Sequence, residues 1–417
     1  MTPGRRRPGP GRRHRRPHPP RTVALFGLFG IGNFGNEASL AAGLEAVARE
    51  LPGAVVTTIS TDPGRVAGLH GVPGHAIGDA GPASALAGGG RLRRVATRPL
   101  VEIGRWVSAV RHLRGIDLLL VPGTGILDDF GQRPTQLPLD VFRWSVAARL
   151  AACRLAYLSI GAGPINHPVS RRLMRAALAQ ADVCSYRDDG ARAFMASLGR
   201  DTSDDEVWPD LVFGLERTPA PRRADPASLG VALGVMDYRG WQGRGDEAER
   251  IHRAYLDKMT DLARRLRERG CVLRLVIGDD ADLAPAEAIA AALADPDVVV
   301  CRSGAFDDVL AAMADVDVVI ASRYHNLVAA LITGVPAVSI SYAPKNEQLM
   351  EMAGLGGRCE QIESFRVDAV LDHLDDVLRD RVALTSTVRE RTDALRTTVR
   401  SRLAVFLDGH AAGAGPA

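Results

Sequence analysis

Four residues that could handle an anion and move a proton sit within one 28-residue stretch, Val318 to Lys345. Arg323 and His325 directly follow the short apolar run Val318 to Ala321, and Tyr342 and Lys345 follow the next such run, Ala337 to Ile340. Runs of this length read as buried parallel strands. Between them, Asn326 to Thr333 reads as an apolar helix that Gly334 stops and Pro336 cannot continue. Two consecutive strand ends therefore present Arg323, His325, Tyr342 and Lys345 on one edge. In open α/β sheets, ligands bind beyond the carboxyl ends of the strands. The guanidinium supplies planar paired donors, the ammonium a point charge, and the imidazole a group that titrates near neutrality.

The first half of the chain offers loops of the same kind. Thr22 to Phe26 reads as a strand and runs into a glycine-rich loop containing Gly30, Gly32, Asn33, Gly35, Asn36 and Glu37, with a helix expected over Ala38 to Glu50. Strand, glycine loop and helix allow backbone N–H groups to approach an anion. The spacing is not the dinucleotide fingerprint, and no acidic residue closes the next strand as a ribose partner. Further strand ends carry Gly123-Thr124-Gly125, Gly161-Ala162-Gly163-Pro164 and Arg187-Asp188. Alternation of strands and helices implies a parallel sheet covered on both faces.

At 417 residues the chain is long enough for two domains. The reading is a basic tail at 1–21, an N-terminal Rossmann-like domain at 22–215, a linker at 216–227, a second Rossmann-like domain at 228–365, C-terminal helices at 366–410 that cross back, and a tail at 411–417. A mobile loop or short helix is expected between Asp79 and Arg98, and Pro285 is expected at the first position of a helix. The first 21 residues hold eight arginines and no acid, so removing them turns a net charge of +3 into −5. That tail has the composition of a disordered segment and lacks the apolar core of a secretory signal. No apolar run approaches the roughly 20 residues of a membrane span, and a cytoplasmic location, with peripheral contact at the inner membrane face, is expected. Five scattered cysteines suit reduced core positions rather than disulfides or zinc ligands. No histidine or carboxylate cluster has metal-ligand spacing.

The motif series resembles the polysaccharide pyruvyl transferases. It runs from Gly30-Ile31-Gly32-Asn33-Phe34-Gly35-Asn36-Glu37 through Gly123-Thr124-Gly125, Gly161 to Pro164, Tyr186-Arg187-Asp188 and Pro209-Asp210 to Ser322-Arg323-Tyr324-His325, Gly334-Val335-Pro336, Tyr342 and Lys345. The resemblance implies an α/β fold of the GT-B type, with two Rossmann-like domains facing across a cleft. It also implies transfer of pyruvate from phosphoenolpyruvate, the donor substrate, to two hydroxyls of a glycan or lipid-linked sugar, giving a ketal, with no cofactor, no metal and no nucleic acid. On that basis Arg187 and Arg323 would clamp the donor, Lys345 would neutralise the leaving phosphate, and His325 would be the general acid. Asp188 or Glu37 would orient the acceptor or take its proton. Gly32, Asn33, Gly123, Gly125, Gly163, Tyr342 and Arg239 complete the expected substrate contacts. The chain departs from the family pattern at Asn36, at Gly123-Thr124-Gly125 in place of a glycine triplet, and at Met236-Asp237, which precede Arg239. Two rival readings are a GT-B glycosyltransferase using a nucleotide sugar and an inactive scaffolding protein of glycan assembly.

Overall fold

The structure, a computed structural model, describes residues 21–86, 91–217, 228–241, 243 and 245–412. Most of the expected basic tail, most of the linker and the last five residues lie outside these. The first half builds a parallel sheet from β1 (Thr22–Phe26), β2 (Val55–Ser60), β3 (Gly74–Ala76), β4 (Leu118–Pro122), β5 (Arg154–Ile160), β6 (Val183–Tyr186) and β7 (Glu206–Val207). Its strand order is β3-β2-β1-β4-β5-β6-β7. The second half builds another from β8 (Gly230–Gly234), β9 (Val272–Val276), β10 (Val299–Cys301), β11 (Val318–Ala321), β12 (Ala337–Ser341) and β13 (Cys359–Gln361), in the order β10-β9-β8-β11-β12-β13. Both orders reverse direction beside the first strand, at β1/β4 and at β8/β11. A doubly wound sheet opens its ligand crevice at that reversal. The loops after β1, β4 and β11 are those singled out by their chemistry.

The sheets form because their strands are apolar on both faces. Val23 to Phe26, Leu118 to Val121 and Val318 to Ala321 are almost wholly buried, the pattern of parallel strands covered by helices on each side. One face of the first sheet has its own core around Phe26, Trp144 and Tyr157. The other face shares a continuous core with the second half, running through Phe34, Leu211, Phe213, Val231, Leu327 and Leu407. Helix α1 (Phe34–Glu50) lies at this junction.

The helices that follow the site loops begin earlier than their apolar period suggests. Asn33 has extended backbone (φ −90°, ψ 106°), and its side-chain oxygen accepts the Asn36 N–H at 3.1 Å. Helix α1 thus starts at Phe34 rather than Ala38. Arg323 is likewise extended (φ −70°, ψ 132°), and the helix after β11 spans Tyr324–Ile332, not 326–333. His325 consequently rides the first turn of a helix. The stretch expected as a mobile loop or short helix between Asp79 and Arg98 holds a short 3-10 helix, Gly81–Leu86, and then the start of a longer helix than expected, Arg91–Leu113, fixed against its neighbour by Glu102 accepting from the buried Arg143. Pro285 stands third in its helix, Leu283–Leu293, not first. The C-terminal helix Arg381–Ala412 runs back to the first half: Arg400 Nε donates to the Gly214 carbonyl at 3.1 Å and Phe406 meets Trp208 edge-on. All five cysteines are free.

Candidate active site

The two halves are pinned together at the glycine-rich loop after β1. Phe34 N–H donates to the Gly278 carbonyl and Asp280 N–H to the Gly32 carbonyl. Asn33 Nδ2 donates to Asp279 at 2.9 Å, and Arg65 pairs with Asp280 at 2.8 Å. Gly32 has φ +83°, and a Cβ there would stand 2.1 Å from the Asp280 carboxylate. Backbone conformation and contact both demand glycine at this position. The loop's first duty is therefore to lock one half onto the other.

His325 lies at the centre of this junction. Its Nε2 is 3.7 Å from Asp210 Oδ2, beyond hydrogen-bond range, and has no partner among the described residues. Asp210 is wholly buried and accepts from Arg187 at 3.3 Å and from the Val212 N–H at 3.0 Å. Arg187, also buried, lies with its guanidinium 4.1 Å above the Tyr324 ring, and its Nε makes no hydrogen bond but stands 3.8 Å from Asp188. Burial pulls the His325 pKa well below its usual value, reinforced by the positive charges of Arg187, Lys345 and Arg323. The imidazole is thus neutral around pH 7. Arg187 is held firmly protonated: burial opposes its charge, but Tyr324, Asp210, Asp188 and Tyr342 outweigh it. Burial raises the Asp210 carboxyl above the ordinary range, against the pull of Arg187.

Arg323 is spoken for. Its Nε and NH2 grip the two oxygens of the buried Asp282, at 2.9 and 2.6 Å. Asp282 also accepts backbone N–H groups from Asp237 and Gly278. The fork that could bind a planar anion is engaged by an internal carboxylate, and Arg323 reaches the site chiefly through its charge. Lys345 differs: among the described residues its ammonium forms no ion pair and rests 4.6 Å from the Tyr342 ring centre. The helix that carries it, Pro344–Met352, is tied to the end of β11 by Asn346 donating to the Ser322 carbonyl.

The other expected residues divide by environment. Glu37 is buried, accepts the Gly30 N–H at 2.6 Å and stands 3.4 Å from His70 Nε2, so it braces the glycine loop. Asp188 caps the helix Asp189–Ser197 by accepting the Ala191 N–H at 2.6 Å, and lies 3.8 Å from Arg187. Gly123 and Gly163 both have positive φ, and a side chain at Gly163 would collide with Phe194. Gly125 is open towards Asp128. Arg239 pairs with Asp237 and Glu249. Sequence reasoning did not single out Asp210, Asp282, Tyr324 or Asp128 as site residues. The Pro209-Asp210 and Ser322-Arg323-Tyr324-His325 motifs were the available signals for Asp210 and Tyr324. Asp282 looks in sequence like a loop acid and Asp128 like one of two adjacent aspartates.

No helix among the described residues is long and apolar enough to cross a membrane. Among the same residues no group of three or more histidines, cysteines and carboxylates could hold a metal ion.

Two parallel doubly wound sheets meeting at a junction of ion-paired side chains, with a C-terminal helix crossing back, define a GT-B protein. Solved structures agree on this architecture. A putative UDP-N-acetylglucosamine 2-epimerase from Listeria monocytogenes superposes with a TM-score of 0.60 at 12% identity, covering 95% of this chain and 98% of that one. A lipopolysaccharide outer core galactosyltransferase gives 0.53 at 12%, covering 92% and 99%. Acinetobacter baumannii MurG gives 0.52 at 16%, covering 93% and 99%. At such identities the likeness shows the fold alone. No curated protein matches the sequence. The sequence profile of the polysaccharide pyruvyl transferases matches residues 33–344, and the chain belongs to that family.

Proposed function

We propose that this protein transfers pyruvate from phosphoenolpyruvate to two hydroxyls of one sugar in a cell-surface or exported glycan. The observation that carries the reading is His325 at the junction of the halves, packed against Gly35 and 3.7 Å from Asp210, where burial and the charges of Arg187, Lys345 and Arg323 lower its pKa. A polyanion entering this site would meet the charges of Arg187, Arg323 and Lys345, and Lys345, which forms no ion pair among the described residues, offers it a donor. Its negative charge would also lift the His325 pKa, loading the imidazole with the proton that the reaction needs.

The steps then balance. His325 delivers a proton to the methylene carbon of phosphoenolpyruvate, leaving C2 electrophilic. A sugar hydroxyl adds to C2 and gives up its proton, and the C2–O bond to phosphate breaks with Lys345 offsetting the departing charge. A second hydroxyl of the same sugar adds and loses its proton, closing the ketal. Of the two hydroxyl protons, one replaces that lost by His325 and the other leaves with phosphate. The reading needs no cofactor or metal and implies a cytoplasmic reaction.

The test is to offer the purified protein phosphoenolpyruvate or a panel of nucleotide sugars, with glycoside acceptors. Phosphate release matched by an acceptor mass gain of one pyruvate less water supports the proposal. Binding of a nucleotide sugar with no affinity for phosphoenolpyruvate would move the protein to glycosyl transfer, and affinity for neither would leave a scaffolding role.

A further inference from the structure

Beside the junction lies an aromatic arrangement, of which only Tyr342 touches a cation of the donor site. Phe130, from the loop after β4, meets Trp241, from the loop after β8, edge to face with ring centres 5.0 Å apart. Tyr342, from the loop after β12, has its ring centre 6.5 Å from that of Phe130. All three rings are half-exposed. Aromatic residues make up only 5% of this chain, and these three come from both halves. The Trp241 indole N–H is buried and has no acceptor among the described residues. An aromatic wall with an unpaired donor suits a ligand with apolar C–H faces and hydroxyls around its rim.

Asp128 stands at the foot of this wall, next to Phe130. Its Oδ1 accepts the Phe130 N–H at 3.1 Å, while its Oδ2 receives no hydrogen bond among the described residues and faces the open side of Gly125. Lys345 and Arg187 are the cations acting on it, and the same two act on His325. The carboxylate and the imidazole therefore lie within electrostatic reach of the same two cations. Glu37 and Asp188, the acids that the sequence suggested for the acceptor, spend an oxygen on a loop amide and on a helix cap.

We propose that Phe130, Trp241 and Tyr342 form the acceptor subsite, stacking a pyranoside ring, and that Asp128 Oδ2 takes the proton of its attacking hydroxyl. This rests on the pyruvyl-transfer reading for the reaction but not for the binding. The O–H bond breaks towards Asp128 as the oxygen bonds to C2 of the donor. Burial lifts the Asp128 pKa, with Lys345 opposing, which makes its carboxylate a stronger base than an exposed aspartate. The wall would order only when the halves are together, since Phe130 and Trp241 belong to different ones.

The binding test uses methyl glycosides of glucose, galactose and mannose and their 2-acetamido counterparts, observed by saturation-transfer NMR on the full chain with and without phosphoenolpyruvate. The expected result is saturation of the ring C–H protons of at least one glycoside, lost in Trp241→Ala and restored in Trp241→Phe. Phosphoenolpyruvate affinity, read by calorimetry, should stay within about threefold in both variants. No glycoside signal, or a signal indifferent to Trp241→Ala and Phe130→Ala, would overturn the subsite. For Asp128→Asn, which keeps the acceptor for Phe130 N–H, glycoside binding should persist while phosphate release with the best-binding glycoside falls about 10²- to 10⁴-fold. The residual rate should lose the acid limb that wild type shows at low pH. Wild-type release by Asp128→Asn would remove the base. Failure of phosphoenolpyruvate to bind the wild type would instead strike the pyruvyl-transfer reading, and the glycoside arm would still report on the wall.

Discussion

Gly35 of the first half lies directly against the imidazole of His325 in the second: a Cβ on Gly35 would stand 1.9 Å from Nδ1 and 2.3 Å from Cγ. No ordinary contact is that short, so either the ring or the junction must move when residue 35 gains a side chain. Neighbouring Phe34 holds the backbone by donating to Gly278, which leaves the ring as the softer partner. Gly35→Ala should therefore displace His325 while the protein stays folded. Turnover should fall by at least about tenfold with a small change in melting temperature, because a misplaced proton donor costs rate steeply. Unchanged turnover would mean that His325 can leave this position without cost, and it would lose its claim to the chemistry.

Asp210 is the buried negative charge on which Arg187 and His325 converge. Asp210→Asn keeps the oxygen that accepts the Val212 N–H but leaves the Arg187 guanidinium short of its counter-charge. Breaking a buried pair from one side costs about 3–5 kcal/mol, less here because Asp188 remains 3.8 Å from Arg187. A fall in the urea midpoint at constant m-value checks this. A variant as stable as wild type would show that Arg187 finds compensation elsewhere.

Much of this arrangement was legible in the sequence, and the reasons differ by residue. Strand ends followed by glycine or by Arg-Tyr-His could be read because parallel strands are apolar runs and their carboxyl ends host ligands. Parallel sheets covered on both faces followed from the same alternation, and the GT-B type from the family resemblance. What could not be read was pairing across the chain. Nothing near Arg323 reveals that Asp282, 41 residues earlier, fills its fork, since the two meet only when β9 and β11 flank β8. Nor does anything beside Glu37, which the resemblance offered for the acceptor, reveal that one of its oxygens accepts the Gly30 N–H inside a buried turn. Helix starts were misplaced because Asn33 and Arg323 begin their helices through backbone conformation, ahead of the apolar period.

The two cations on adjacent strand ends should behave differently when changed. Lys345→Ala removes a charge that forms no ion pair among the described residues, so donor affinity should drop by about 10- to 100-fold, the equivalent of one charge-assisted hydrogen bond, with stability little altered. Arg323→Lys exchanges a two-pronged contact with Asp282 for a point charge. It should lower stability by about 2 kcal/mol and weaken donor binding less than Lys345→Ala does. Calorimetric affinity and denaturant unfolding on both variants check the contrast. A larger donor effect from Arg323→Lys at unaltered stability would show that its fork turns from Asp282 to the ligand.

The depressed pKa of His325 gives the donor site a pH dependence of definite sign. In the free protein, burial and the charges of Arg187, Lys345 and Arg323 keep the imidazole neutral well below pH 6.5, with Asp210 and Tyr324 also close to it. A bound phosphoenolpyruvate brings negative charge and raises that pKa. Between the free and bound values the complex holds a proton that the free protein lacks, so binding takes up protons. Affinity must then fall as pH rises through the bound value, and be flat below the free one as far as His325 is concerned. The same shift acts on folding. The unfolded histidine takes a proton below about pH 6.5 that the folded one refuses, so the His325 contribution to stability is complete above that pH and is lost as pH falls towards the folded value. Calorimetry in two buffers of different ionisation enthalpy reads the uptake directly, and His325→Gln should abolish it. Proton release on binding, or uptake that survives His325→Gln, would show that the donor's charge is felt by another group and that the imidazole is not the acid.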